Sequence, residues 1–346
     1  MTVEPLPPDS STDSPLQFRR LRLGPASHAS HMLGARMLTP TGQPPPGSSG
    51  DPVQAELLAP AEAMLDGWFS DRAIAIHQLG CVNYTTDGHW LHGSAEIDLA
   101  RFDIGLEDAA HGLYSDLFDV LARHTSPHLL RLWNYVPGIN DHGDGLEHYR
   151  HFNIGRQRAF IDAGRSAFEG SPAACALGTA GGPLRVFFLA GRAAPLAIEN
   201  PRQVSAYHYP DHYGPRSPTF SRAALADAGG GRRALFISGT ASIVGHASMH
   251  VGDVRKQTEE TLLNIQAVLD AARQQARFEL PADALTCTVY LRQREDLDAV
   301  REVLERQLGA HSEALRTALY LRADICRADL LVEIEGHGFS AAGPTP

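Results

Sequence analysis

Apolar and polar positions along this chain alternate between two periods. Leu113, Leu117, Val120 and Leu121 recur at helical spacing. So do Leu262, Ile265, Leu269 and Ala272, inside a helix expected over 253–277, and further helices are expected over 156–168 and 296–308. Shorter apolar runs read as strands over 71–78, 129–135, 184–190, 234–238, 285–291, 318–321 and 330–335. Pro137-Gly138 ends the second of these and Gly239 ends the fourth. The pattern predicts an α+β chain with helices packed on one side of a sheet.

The polar, Pro/Ser-rich residues 1–16 read as a disordered N-terminus, and Thr39 to Asp51, with three consecutive prolines, as a flexible loop. With 346 residues there is room for about two domains. The Gly/Ala-rich stretch Ala174 to Gly182 is the natural boundary, dividing 17–173 from 174–346.

Charge and composition narrow the function. A net charge of −10 argues against a nucleic-acid partner. No apolar run approaches the roughly 20 residues of a membrane span, and Met1 to Ser14 lacks a basic start and an apolar segment, so a cytoplasmic protein is expected. Cys81, Cys175, Cys287 and Cys326 are too scattered for a disulfide framework or a thiolate zinc site. Lys256 is the sole lysine; the other cations are arginines, which suit bidentate recognition of carboxylates.

The last predicted strand carries the most chemistry. Alternation puts Glu333 and Glu335 on one face, roughly 7 Å apart. A carboxylate on a buried strand face is costly unless paired or protonated, so this strand is the place to look for acid–base chemistry.

Longer motifs carry a resemblance. Gln257-Thr258, Leu262 and Asn264-Ile265, followed by Thr288 to Leu291 and Val332 to Glu335, resemble the YjgF/RidA-like fold over roughly residues 180–340. Arg131 to Asn140, Tyr149 to Arg158, Glu199 to Pro210, Tyr213 to Ala223, Ser238 to His246 and the Glu333 strand, taken together, resemble the chorismatases over nearly the whole chain. The resemblance implies two YjgF/RidA-like (chorismate-mutase-like) mixed sheets with helices on one face. The first half would be a degenerate copy and the second catalytic. The chain would act as a monomer imitating part of a trimer, or as a homotrimer. No metal or organic cofactor is implied.

By the same resemblance the substrate is chorismate, cleaved with loss of pyruvate from its enolpyruvyl ether. An enol ether needs a general acid that still holds its proton near neutral pH, a role for a glutamate desolvated on a strand. The resemblance assigns that role to Glu333 and leaves Glu335 structural. Two substrate carboxylates call for arginine forks, with Arg156, Arg216 and Arg292 in the matching segments; Tyr149 and Tyr213 are suited to bonding hydroxyls or stacking on the ring. Members that form 3-hydroxybenzoate carry a glycine after the strand serine and a cysteine seven residues before the acid. Here these are Gly239 (Ala241 if the register shifts by two) and Cys326. The glycine would leave room for the ring to fold back. The cysteine would accept the aromatising proton, given thiolate character from Arg327.

Two other readings stand beside this one. A hydrolytic chorismatase would release the trans-3,4-dihydroxycyclohexadiene carboxylate, with Gly239 and Cys326 as packing residues. A YjgF/RidA-like deaminase or small-acid-binding protein would need only one arginine clamp. His124/His128, His208/His212 and His246/His250 have the four-residue spacing of helical metal ligands, but their proline, glycine and serine neighbours oppose a helix there. No metal site is expected.

Overall fold

The computed structural model describes residues 14–24, 31–45, 52–210 and 213–340. Of the segments expected to be irregular, 1–13 and 46–51 lie outside these residues. Leu16, placed at the end of the disordered N-terminus by its sequence, is buried in the core, and its amide donates to the Ala228 carbonyl.

The strands in chain order are β1 (Gln17–Arg22), β2 (Met32–Thr39), β3 (Pro52–Ala59), β4 (Met64–Phe69), β5 (Ala75–Leu79), β6 (Val82–Thr86), β7 (Trp90–Ile97), β8 (His128–Pro137), β9 (His142–Gly143), β10 (Leu146–Glu147), β11 (Ala173–Thr179), β12 (Leu184–Gly191), β13 (Leu196–Ile198), β14 (Ala223–Gly229), β15 (Arg232–Ala241), β16 (Ile243–Val244), β17 (Ala247–Ser248), β18 (Thr286–Leu291), β19 (Leu319–Arg322), β20 (Asp324–Ile325) and β21 (Val332–Phe339). The helices are α1 (Leu99–Phe102), α2 (Leu106–Ala122), α3 (His148–Asp162), α4 (Val254–Ala276), α5 (Leu297–Leu308) and α6 (Glu313–Thr317).

Two mixed sheets dominate. One runs β1-β4-β2-β3-β19-β18-β21-β15-β14-β13, the other β20-β11-β8-β12-β7-β6-β5. Their inner faces meet through Trp68, Phe236 and Leu321 on the first and Trp133, Phe187 and Leu189 on the second. The outer face of the first sheet around β15, β18 and β21 is covered by α4–α6, where Ile265, Leu269 and Val300 pack on Ile237, Val289 and Ile334. The outer face of the second is covered by α2 and α3, where Leu113, Leu117 and Phe152 pack on Leu132, Val136 and Phe188. Each sheet thus carries helices on one face, as the α+β expectation has it.

The linear division at 173/174 does not coincide with the sheets. Strand β11 lies parallel to β8 from Ala173↔Arg131 to Thr179↔Pro137, so a cut there would break one continuous ladder. Strands β1–β4 close the ten-stranded sheet through β3, which pairs with β19.

Helix α4 begins and ends where the periodicity predicts. The Asp253 side chain accepts from the Lys256 amide as N-cap, and Arg277 closes the helix in the left-handed region. Its buried polar residues hold loops: Asn264 Nδ2 donates to the carbonyls of Ala241 and Ile243, and Gln257 grips Asp329 and Leu331. Helix α3 instead spans His148–Asp162, ahead of the expected 156–168. Strand β15 does not stop at Gly239. Its pairing with β21 is irregular between Ile237 and Thr240, and the strand continues to Ala241.

Candidate active site

Alternation along β21 sends Val332 and Ile334 into the helix-side core and Glu333 and Glu335 into the space between the sheets. The two carboxyls are 3% and 4% exposed. Their surroundings differ in what surrounds each charge.

Glu335 is enclosed by cations. It accepts from Arg36 Nη1 at 3.1 Å, from Arg131 Nη2 and from the Tyr290 hydroxyl at 2.9 Å. Arg36 also pairs with Asp66, which in turn binds Arg20. Burial alone would raise the Glu335 pKa, but Arg36 and Arg131 outweigh it and hold the group below the usual carboxylate range.

Glu333 lies at the bottom of a cavity of about 400 Å³. Burial, reinforced by the neighbouring Glu335 charge and only partly opposed by Arg131, pushes its pKa up to about 8. At neutral pH it is a carboxylic acid, able to donate a proton. The irregular stretch of β15 brings Gly239 directly beneath it. A Cβ at residue 239 would overlap Glu333 Oε1 and come within 2.9 Å of Cys175 Cβ. The room left by this glycine is taken up in part by the Glu333 carboxyl, and Gly239 also lines the cavity.

The same cavity is lined by Tyr149 and Arg150 of α3, by Tyr209, Tyr213, Phe220 and Arg222 of the 205–222 segment, and by Cys326 and Arg327 of the 324–330 turn. Arg327 stacks over Tyr213 with its guanidinium carbon 4.1 Å from the ring centroid and donates through Nη1 to the His246 carbonyl; its Nη2 is buried without a partner. Arg222 lies over Phe220 at 5.2 Å and donates to Val204 O and the Tyr209 hydroxyl; its Nε is likewise unsatisfied. Buried guanidinium donors without acceptors are costly unless a ligand supplies them, and the acceptors they call for are anionic oxygens.

Burial, aided by the neighbouring Glu333, pushes the Cys326 thiol up to about 12, and Arg327 lowers it only in part. The expected thiolate is absent in this arrangement: Cys326 is a neutral thiol beside the acid. The Tyr149 phenol is also raised, chiefly by burial, and stays protonated.

Of the residues expected at the site, Glu333, Cys326, Gly239, Tyr149 and Tyr213 share the cavity. The three expected arginine clamps do not line it. Arg156 is buried along α3, over the Phe152 ring and bonded to Asn153. Arg216 is exposed on the segment leading to β14. Arg292 pairs with Asp324 at 2.6 Å and donates to the carbonyls of Ile325, Arg327 and Leu330, so it shapes the turn that carries Cys326; it borders a separate cavity of about 510 Å³. The arginines that reach the site are Arg150, Arg222 and Arg327, each inside or beside a motif already singled out. Arg222 stands two residues after Phe220, and both line the cavity. His212 lies outside the described residues, and among those described no cluster of three or more His, Cys, Asp or Glu is arranged to hold a metal.

The family model described as Chorismatase FkbO/Hyg5-like, N-terminal, matches residues 66–190. A 3-hydroxybenzoate synthase of Streptomyces hygroscopicus is 36% identical over 297 residues, 82% of this chain and 84% of its own. A chorismatase crystal structure superposes with a TM-score of 0.82 at 32% identity, over 95% of this chain and 99% of that one. The chain belongs to the chorismatase family. A second family member, a chorismatase of the same organism, is 45% identical over 236 residues, 66% of this chain and 67% of its own. No helix among the described residues is long and apolar enough to cross a membrane.

Proposed function

We propose that this chain converts chorismate to 3-hydroxybenzoate and pyruvate, with Glu333 as the general acid. The observation that carries the reading is a carboxylic acid still protonated near pH 7, buried at the foot of a cavity whose arginines have unsatisfied donors. The named relatives act as a 3-hydroxybenzoate synthase and as chorismatases.

In this reading Arg222 and Arg327 take the two carboxylates of chorismate, and Tyr209, Tyr213 and Phe220 form the wall against the ring. Glu333 gives its proton to the terminal methylene carbon of the enolpyruvyl group. The resulting oxocarbenium ion departs as pyruvate when the ring C–O bond breaks, and the neighbouring ring hydroxyl oxygen takes that carbon. The oxygen then settles on the same carbon as its other bond opens, and loss of the ring proton aromatises the product. Glu333, now a carboxylate, is the base for that proton, since Cys326 is held neutral. Chorismate is thus divided into 3-hydroxybenzoate and pyruvate with no water consumed, and the acid is regenerated. Cys326 supplies an apolar, weakly bonding wall that keeps water from the oxocarbenium carbon.

The hydrolytic alternative consumes one water and leaves the diene diol. The deaminase or small-acid-binding alternative needs a single carboxylate clamp, and the paired Arg222 and Arg327 favour a dianion. Purified protein incubated with chorismate is expected to release pyruvate, followed by a coupled lactate dehydrogenase assay, and equimolar 3-hydroxybenzoate, resolved by HPLC. A diene diol in its place overturns the product assignment, and no pyruvate overturns the enzyme. Glu333→Gln is expected to lower turnover by roughly 10³-fold; a near-normal rate removes Glu333 as the acid.

A further inference from the structure

Beneath the cavity, the space between the sheets holds a charge cluster that the proposed reaction does not itself use. Three guanidiniums, Arg20, Arg36 and Arg131, face two carboxylates, Asp66 and Glu335. Three positive and two negative charges leave one positive charge over while Glu333 is protonated, and none once Glu333 is ionised. Arg131 stands at the junction. Its Nη2 pairs with Glu335, and its Nη1 donates to the Ile237 carbonyl at 3.1 Å, on the irregular strand stretch that carries Gly239. Arg36 and Arg131 both lie over the Trp133 ring, at 4.4 and 5.3 Å, which fixes them in the sheet interface.

We propose that Glu335 is a positioning residue for the reaction: it claims Arg131, so that Glu333 keeps its proton until substrate takes it. The inference rests on the reading of Glu333 as the acid. Without Glu335, the Arg131 charge, which already works against the protonated form of Glu333, would be left unpaired and would ionise the acid before substrate arrived. With Glu335 in place, the surplus positive charge of the cluster still balances the Glu333 carboxylate after transfer, a preorganised response to the charge that develops.

The groups that face Glu333 permit this assignment. Cys175 from β11, Cys326 from the 324–330 turn and Tyr149 from α3 are all pushed up, chiefly by burial, and stay neutral. His337, further along β21, is kept neutral by burial, at about 3. The remaining charges are Arg131 and Glu335 below, and Arg150, Arg222, Arg327, Glu147 and Asp329 around the cavity.

The test is the pH dependence of kcat/KM from pH 5.5 to 9 for the wild type, Glu333→Gln, Glu335→Gln, Glu335→Asp and Arg131→Gln, with near-UV circular dichroism as the check on folding. Glu335→Gln is expected to move the alkaline limb down by roughly one pH unit. That is a loss of about five-fold at pH 8 with little change at pH 6. Glu335→Asp keeps the charge and should restore the limb, and Arg131→Gln should move it upward. Equal losses at every pH in Glu335→Gln, or an unmoved limb in Arg131→Gln should the first variant fail to fold, overturn the proposal. Retained activity in Glu333→Gln instead overturns the reading of the acid, so the two failures are told apart.

Discussion

Two carboxyls on one strand, two residues apart and equally buried, have opposite protonation states. Glu335 faces Arg36, Arg131 and Tyr290 and is an anion. Glu333 faces Gly239, Cys175 and an open cavity and is an acid. Burial is the common factor and disfavours the charged form of both. The difference is whether fixed cations compensate it. One of these two positions on β21 is therefore an ionic joint between the sheets, and the other is a site where proton transfer is possible.

The largest way to break this contrast is Glu333→Gln, which should affect stability as well as turnover. The folded-state pKa of Glu333, about 8, lies above its ordinary value of 4.5. The stabilisation from the protonated acid is fully present below about pH 4.5 and is lost as pH rises through 8. A glutamine has no such loss. Relative to the wild type, the variant should gain stability between pH 5 and 8.5 by an amount on the order of 4 kcal/mol, read from denaturant midpoints. An equal difference at both pH values would mean that Glu333 is ionised throughout. Glu335 has the opposite sign: its depressed pKa supplies stability above its unfolded value, lost as pH falls into the acid range.

Gly239→Ala comes next. Its Cβ would meet both the Glu333 carboxyl and the Cys175 side chain, so a loss of roughly 1–3 kcal/mol in stability is expected, together with reduced turnover as the acid is displaced. A fully stable and active alanine variant would show that the carboxyl is not seated over this glycine. Arg327→Gln removes a cavity cation with an unsatisfied donor; KM for chorismate should rise roughly ten- to hundredfold with a smaller change in kcat. Cys326→Ala should leave most of the rate and shift product toward the diene diol by admitting water; an unchanged HPLC product ratio would reduce Cys326 to packing. The smallest effect is expected for Arg216→Gln. The residue is exposed and outside the cavity lining, and a tenfold rise in KM would return it to the site.

Much of the secondary structure follows from local pattern. The limits of α4 follow from apolar periodicity, the Asp253 cap and the Arg277 turn. The pairing of Glu333 and Glu335 on one face follows from the period of a strand. Cys326, Tyr149 and Tyr213 were legible through the motifs that contain them. The arginines were not, because a motif names a stretch of chain but does not say which of its long side chains points inward. Arg150 and Arg156 are on the same helix, six residues apart, and only the former lines the cavity. Arg292 sits beside a matching strand, yet its donors are spent on the turn that presents Cys326.

By itself, the sequence determined the α+β class, the strands β5, β8, β12, β15, β18, β19 and β21, the helices α2, α4 and α5, the chorismatase resemblance, and the placement of two acids on one buried strand face. These depend on periods of two and 3.6 residues and on short contiguous motifs, all of which are local. Only the tertiary structure decided that β1–β4 close the sheet of the second half, that Gly239 makes room for an acid, and that Arg36, 299 residues from Glu335 in the chain, fixes that carboxylate as an anion. Protonation of a buried group depends on the desolvation and charges that converge on it from every packed element, and no single stretch of chain contains that sum.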